Sequence, residues 1–194
     1  MTFPYESLVA STGRRFAYRF QNPAAGVPRG LYRGVTLEFE SVRYEEETRS
    51  CSMTFEWIPW QVRTWQDLDG KSLSCNYRDQ GVEASFYFVA HGMAENIRVS
   101  VAASEGAHCD VTMSMVVDLT GYTGGDANDE MSVSGIAVNL FDGVWLRPGN
   151  FDPARSSEAE IKALAGEFLD VSDFAMSEEP GGAFVFRPAL GRRN

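Results

Sequence analysis

The chain has 194 residues, 44% of them hydrophobic, and a formal net charge of −10. This length suffices for one sizeable core, and an all-β unit of such a size is commonly one domain, so a single domain over residues 1–194 is expected. The acidity argues against a nucleic-acid partner, because binding a phosphate backbone needs clustered Lys and Arg, and against an anionic membrane surface for the same reason.

Phe16-Ala17-Tyr18-Arg19-Phe20 alternates and reads as a first strand. Asn22 to Gly34, with Pro23, Gly26, Pro28 and Gly30, reads as a loop rich in breakers. Val35, Leu37 and Phe39 then alternate, and the apolar parity changes at Val42 and Tyr44, which predicts a bulge near Glu40-Ser41. Glu45-Glu46-Glu47 is a solvated turn. Cys51, Met53, Phe55 and Trp57 form the inward set of the next strand, which Pro59 stops because it has no N–H for the ladder. A longer connection through Trp60, Trp65, Asp67 and Asp69 leads to a short strand at Leu73, Cys75 and Tyr77.

The clearest signal follows. Val82 to Phe88, Ile97 to Val101 and Val111 to Leu119 are three alternating runs joined by short links, His91 to Asn96 and Ser104 to His108. Short links join antiparallel neighbours, so these runs predict a β-meander. Thr120 to Glu130 is a long loop, Met131 to Leu140 alternates with a shift after Gly135, and Phe141 to Pro153 is irregular. A helix is predicted near 157–169: Ser157 and Glu160 have capping-box spacing, and Ile161, Leu164, Ala165, Phe168 and Leu169 share one face. Ala183 to Arg187 reads as a last strand.

This order, all-β with an antiparallel meander and one C-terminal helix, is similar to that of an up-and-down barrel of the lipocalin or calycin type. The Gly-x-Trp signature of that family is absent, the corresponding region reading Gly13-Arg14-Arg15-Phe16. A two-sheet sandwich or jelly roll is the alternative. In a strict meander, successive connections fall at alternate ends. One end would then collect 22–34, 58–72, 91–96 and 120–130, which are the long links, and this is the predicted mouth of a ligand site.

Cys51, Cys75 and Cys109 are too few and too scattered for a disulfide framework or a zinc signature, so reduced thiols are expected. The first residues, Met1-Thr2-Phe3-Pro4-Tyr5-Glu6, lack the basic segment and apolar core of a signal peptide, and no apolar run could span a bilayer; the expectation is a cytoplasmic protein. No metal is expected. His91 and His108 would sit at opposite ends, and Asp126-Ala127-Asn128-Asp129-Glu130 lacks the glycine and the final glutamate of a calcium loop.

Nucleophile elbows, phosphate-binding loops and dinucleotide fingerprints are missing, which leaves three functional readings. In the first, a small hydrophobic or aromatic ligand enters a barrel cavity between Trp60, Trp65, His91 and Tyr122, whose rings supply contact area. The plainer reading is that Trp57, Trp60 and Trp65 fill a corner of the core. In the second, a cofactor-independent cyclase, isomerase or lyase uses His91 or Glu56 to move a proton. An exposed turn histidine and a structural Glu56–Arg98 ion pair are the plainer readings of those two residues. In the third, the hydroxyl-rich face of Thr54, Glu56, Asn76, Tyr87, Arg98, Ser100, Thr112 and Ser114 serves contacts in a homo-oligomer, such as a virion subunit.

Overall fold

The first two strands make one long hairpin. β1 (Ala10–Asn22) and β2 (Val27–Phe39) pair antiparallel along their whole length, joined by a 3-10 turn at Pro23–Ala25 and by Gly26 at φ +71°. The breaker-rich loop expected over 22–34 is therefore mostly strand. Pro28 is tolerated because β2 pairs with a second neighbour only from Arg33 onward, so the missing N–H falls on an open edge. Gly34 is required by a close approach: the Phe16 ring lies on it, and a Cβ there would collide with that ring. The computed structural model describes residues 8–44, 46–64, 66–76, 81–88, 91–103, 109–117, 129–138, 141–146, 157–172 and 174–189.

The parity change after Phe39 marks an exit from the sheet rather than a bulge. β3 (Val42–Tyr44) and β4 (Glu47–Arg49) form their own small hairpin, which puts Val42 and Tyr44 into the core and leaves Glu46 and Glu47 exposed. β5 (Ser52–Ile58) returns beside β2 and ends before Pro59, as expected. Cys51, Met53 and Phe55 are buried, but Trp57 does not complete that set. The β2–β5 register slips between Arg33 and Val35, Trp57 sits at φ +58°, and Ile58 takes the inward position. A left-handed conformation at a bulky residue costs roughly 1–2 kcal/mol.

β6 (Ser72–Cys75), β7 (Glu83–Tyr87), β8 (His91–Ala103), β9 (Cys109–Val117) and β10 (Asp129–Val138) contain the predicted meander, and β7 to β10 are successive antiparallel neighbours. The link expected at 91–96 is strand: β8 pairs with β7 through His91 to Met93 and with β6 beyond its register shift at Glu95/Arg98, where Asn96 has φ +48°. In β10 the register slips between Val133 and Ile136, the shift expected around Gly135.

The segment from Phe141, expected to be irregular, begins with β11 (Phe141–Leu146), which pairs in parallel with β1. The helix α1 (Glu158–Gly166) has the full capping box, Ser157 Oγ accepting from the Glu160 N–H while the Glu160 carboxylate accepts from the Ser157 N–H. β12 (Phe174–Glu179) and β13 (Ala183–Pro188) then form a hairpin on β11. β12 was not foreseen, since Ser177, Glu178 and Glu179 give its second half no apolar alternation.

The sheet order is β10-β9-β8-β7-β5-β2-β1-β11-β13-β12 with β6 beside β8, so the fold is all-β. Among the described residues this ladder has two ends and no closed barrel, and it contains a parallel β1–β11 pair, which a strict up-and-down order lacks. None of the described helices is long and apolar enough to cross a membrane.

Two apolar clusters line one face. The first joins Val35, Leu37 and Phe39 to Met53, Phe55, Phe86, Phe88, Ile97, Met113 and Met115. The second joins Ala17, Leu31, Val144, Leu146 and Phe186 to Ile161, Leu164, Ala165 and Leu169 of the helical region. Each fully buried side chain of this size contributes roughly 1.5–3 kcal/mol. Leu31 and Val35 lie on the same face of β2, and between them stands Arg33, only 3% exposed. Its guanidinium donates from Nε to the Trp60 carbonyl and from Nη2 to the Val62 carbonyl, both at 3.4 Å, laying residues 59–64 across the boundary. The Asp170 N–H donates to the Arg63 carbonyl at 2.8 Å and ties the end of the helical region to the same segment.

Candidate functional site

Strand directions decide which predicted residues can meet. β5 runs from Ser52 to Ile58, and β7 returns with Glu83 opposite Glu56 and Tyr87 opposite Ser52. β8 then starts with His91 opposite Tyr87. His91 thus lies at the Ser52 end of β5, whereas Trp60 follows the Ile58 end, about 20 Å away at ~3.3 Å per residue. The predicted mouth does not bring these two together. The cause is β6: it and β7 both run antiparallel to β8, hence in the same direction, and the alternation of ends skips there. Two of the four links assigned to the mouth, 22–34 and 91–96, are moreover largely strand.

Trp60 is half-buried and packs on the first apolar cluster, while its carbonyl accepts from Arg33. Trp65 and Tyr122 lie outside the described residues, as do His108 and Asp126. His91 is exposed, its ring 5.1 Å from that of Tyr87. Cys51 is a buried free thiol, and burial pushes it up to about 11, so it stays protonated near neutrality; Cys75 is half-buried. The side chain of Cys109 is outside the description.

A different constellation emerges on the outward face, opposite the two clusters. Alternation puts Tyr18 of β1, Tyr32 and Thr36 of β2, Thr54 and Glu56 of β5 and Glu83 of β7 there. Tyr32 and Thr36 are buried despite pointing away from the core; the Tyr32 hydroxyl donates to the Pro28 carbonyl at 2.7 Å, and the Thr36 and Thr54 hydroxyls are 3.4 Å apart. The Tyr18 hydroxyl accepts the Trp57 N–H at 3.2 Å.

The electrostatics of this face centre on Glu56. Burial raises its carboxyl above the ordinary glutamate range, the opposed Glu83 carboxylate adds to the rise, and His91, on the same face, acts the other way. Burial likewise holds the Tyr18 phenol far above its usual value, with the Glu56 charge second, so it remains a neutral hydroxyl at any physiological pH. Like charges directly opposed on adjacent strands are destabilising. A carboxyl in such a setting exchanges its proton nearer neutrality and pairs strongly with an incoming positive group. The described residues contain no group of three or more His, Cys, Asp or Glu placed to hold a metal ion.

Sequence reasoning nominated Glu56 and His91, and both reach this face, but it missed Tyr18 and Glu83. The two flank Glu56 only because β1, β2, β5 and β7 adopt this order and register, which nothing local to either residue announces. No protein-family model matches the chain, and no curated protein or solved structure matches it either.

Proposed function

We propose that this chain binds a small molecule on the outward face of its sheet, where Glu56 receives a cationic nitrogen or other hydrogen-bond donor and the surrounding rings meet an aromatic or apolar body. The observation that carries this reading is the pair of carboxylates, Glu56 and Glu83, opposed on β5 and β7 beside the half-buried Tyr18 phenol. Desolvation and the neighbouring Glu83 charge both burden the Glu56 carboxylate, and a positive group placed against it relieves both. The outward face is preferred to an interior cavity because the inward face is occupied by large side chains, among them Phe55, Phe86, Phe88, Met53 and Met113, with essentially no exposure. A net charge of −10 also concentrates cations near the surface.

The test is a panel of aromatic amines, neutral isosteres of the same shape and the matching carboxylic acids, followed by tryptophan fluorescence and by NMR shifts of Tyr18, Trp57 and Glu56. Amines are expected to perturb these residues selectively, and Glu56→Gln to weaken the tightest of them by about tenfold, or ~1.4 kcal/mol. Equal response to all three charge types, or unchanged binding by Glu56→Gln, would sink the reading.

The raised Glu56 carboxyl favours a second reading, a cofactor-independent isomerase, cyclase or lyase in which Glu56 moves a proton, with His91 as a further group on the face. Its signature is Glu56-dependent exchange of a bound ligand's acidic C–H for deuterium, read by NMR in D2O.

We also propose that the sheet rolls into a barrel-like scaffold. β10 pairs with β9 and β11 with β1; β10 and β11 are separated only by residues 139–140 and run in the same direction, and β10 comes within 8 Å of β1. Closure by this route predicts that both alternate sets of amides in the first half of β1 resist hydrogen exchange. Protection of only the set facing β2 would leave the sheet open.

A further inference from the structure

Among the described residues Trp57 is the only bulky aromatic one at positive φ, and it follows Glu56 directly. The bulge that contains it is visible in the register: Val35 pairs with Phe55 but Arg33 with Ile58, so three steps of β5 span two of β2. The support for this backbone comes from across β2. Gly34 has no Cβ, which lets the end of the Phe16 ring approach β2; the Tyr18 ring stacks on Phe16 with centroids 5.7 Å apart and planes 26° apart; and the Tyr18 oxygen accepts the Trp57 N–H of the far strand at 3.2 Å.

The geometry points to Tyr18 as a positioning residue for the proposed ligand face: by accepting the Trp57 N–H, its hydroxyl pins the β5 bulge and so holds Glu56 opposite Glu83. The chain Gly34, Phe16, Tyr18, Trp57 is a strut laid over β2, and each member is needed for the next. Its relevance to a ligand rests on the reading of Glu56 given above, but the pinning itself is measured in the ligand-free protein, so the two can fail separately.

Tyr18→Phe keeps the ring stack and removes the hydroxyl that accepts the Trp57 N–H. The expected result is faster exchange of the Trp57 amide, by about tenfold or more if local opening controls it, together with a downward move of the Glu56 carboxyl titration toward the ordinary glutamate range, read by carbon NMR. Glycine adopts positive φ without support, so adding Trp57→Gly to Tyr18→Phe should return the Glu56 titration toward its original position. A Tyr18→Phe protein that is folded and shows neither change would overturn the inference, and so would a Glu56 shift that Trp57→Gly fails to reverse. Should Tyr18→Phe not fold, the natural protein still decides: a Trp57 amide that exchanges as fast as an unprotected one has no strut behind it, while a protected one that loses protection with Gly34→Ala, which displaces Phe16, supports the chain.

Discussion

The two apolar clusters are built in opposite ways although they line the same face of the sheet. The first is closed mainly by β5, β7, β8 and β9, each beside the next in the ladder and, but for β6, successive in the chain. The second is closed by the chain returning: Ala17 and Leu31 from the first hairpin meet Val144, Ile161 and Phe186 from the last third, and the pairing that makes this possible sets Tyr18 beside Trp145. Local alternation is sufficient instruction for the first, whereas the second requires contacts between segments more than a hundred residues apart, whose closure entropy must be recovered by burial elsewhere.

The largest way to break the comparison is to hollow the first cluster. Phe55→Ala removes a fully buried ring in the middle of the β2–β5–β7 ladder and should cost roughly 3–5 kcal/mol. Because β2 belongs to both clusters, denaturant unfolding should remain a single transition shifted to lower midpoint. A second cluster that melts separately would mean that the two are independent units.

Arg33→Met tests the boundary between them at near-constant volume. Leaving the Trp60 and Val62 carbonyls without their donor should cost roughly 1–3 kcal/mol. The loss should fall on residues 59–64 and, through the Asp170 bond to Arg63, on the end of the helical region, with faster hydrogen exchange there than in β7 to β9. An unchanged exchange pattern would make Arg33 a bystander.

The same contrast explains what could be read from the sequence. β7 to β10 and the Ser157 capping box were legible because each is fixed by residues a few positions apart. The entry into β2 was hidden by Pro28, Gly30 and Gly34, which read as breakers until it is known that β2 has an open edge at Pro28 and that Phe16 fills the space above Gly34. Trp57 looked like the next inward residue because alternation cannot register an extra residue in a bulge. The predicted mouth failed for a related reason: β6 occupies the strand-like run at Leu73 and Cys75 without taking a turn in the meander. Glu56 and His91 were visible as residue types, whereas Glu83 and Tyr18 became neighbours of Glu56 only through register.

The outward face gives a prediction with a definite sign. The Glu56 carboxyl is raised in the folded protein, so over the interval from the ordinary glutamate range up to its raised value the native state holds more proton than the unfolded chain. Its contribution to stability is therefore fully present below the unfolded value and is lost as pH rises through the folded one. Glu56→Gln should flatten that decline in a pH series of unfolding midpoints, and Glu83→Gln should make it end at a lower pH by removing the opposed charge, with its onset unchanged. Stability that instead rises across the interval in the natural protein, and does so because of Glu56, would contradict the desolvated carboxyl.

The smallest effect belongs to the edge of the second cluster. Ser157→Ala removes the hydroxyl that accepts the Glu160 N–H and frees the reciprocal bond to the Glu160 carboxylate, at a cost of about 1 kcal/mol. Ser157 is exposed, so no packing is lost with it, and the cost should appear where α1 seats Ile161, Leu164 and Ala165 against Val144 and Phe186. Hydrogen exchange should quicken in α1, β11 and β13 and stay as before in β7, β8 and β9. That asymmetry follows from how the clusters close: neighbouring strands of the ladder supply most of the first, whereas the second depends on a helix from the last third of the chain, held by its cap and one buried stripe. Equal quickening on both sides of Arg33 would mean that the helix supports the whole sheet, and the division between a locally built and a returned half would have to be given up.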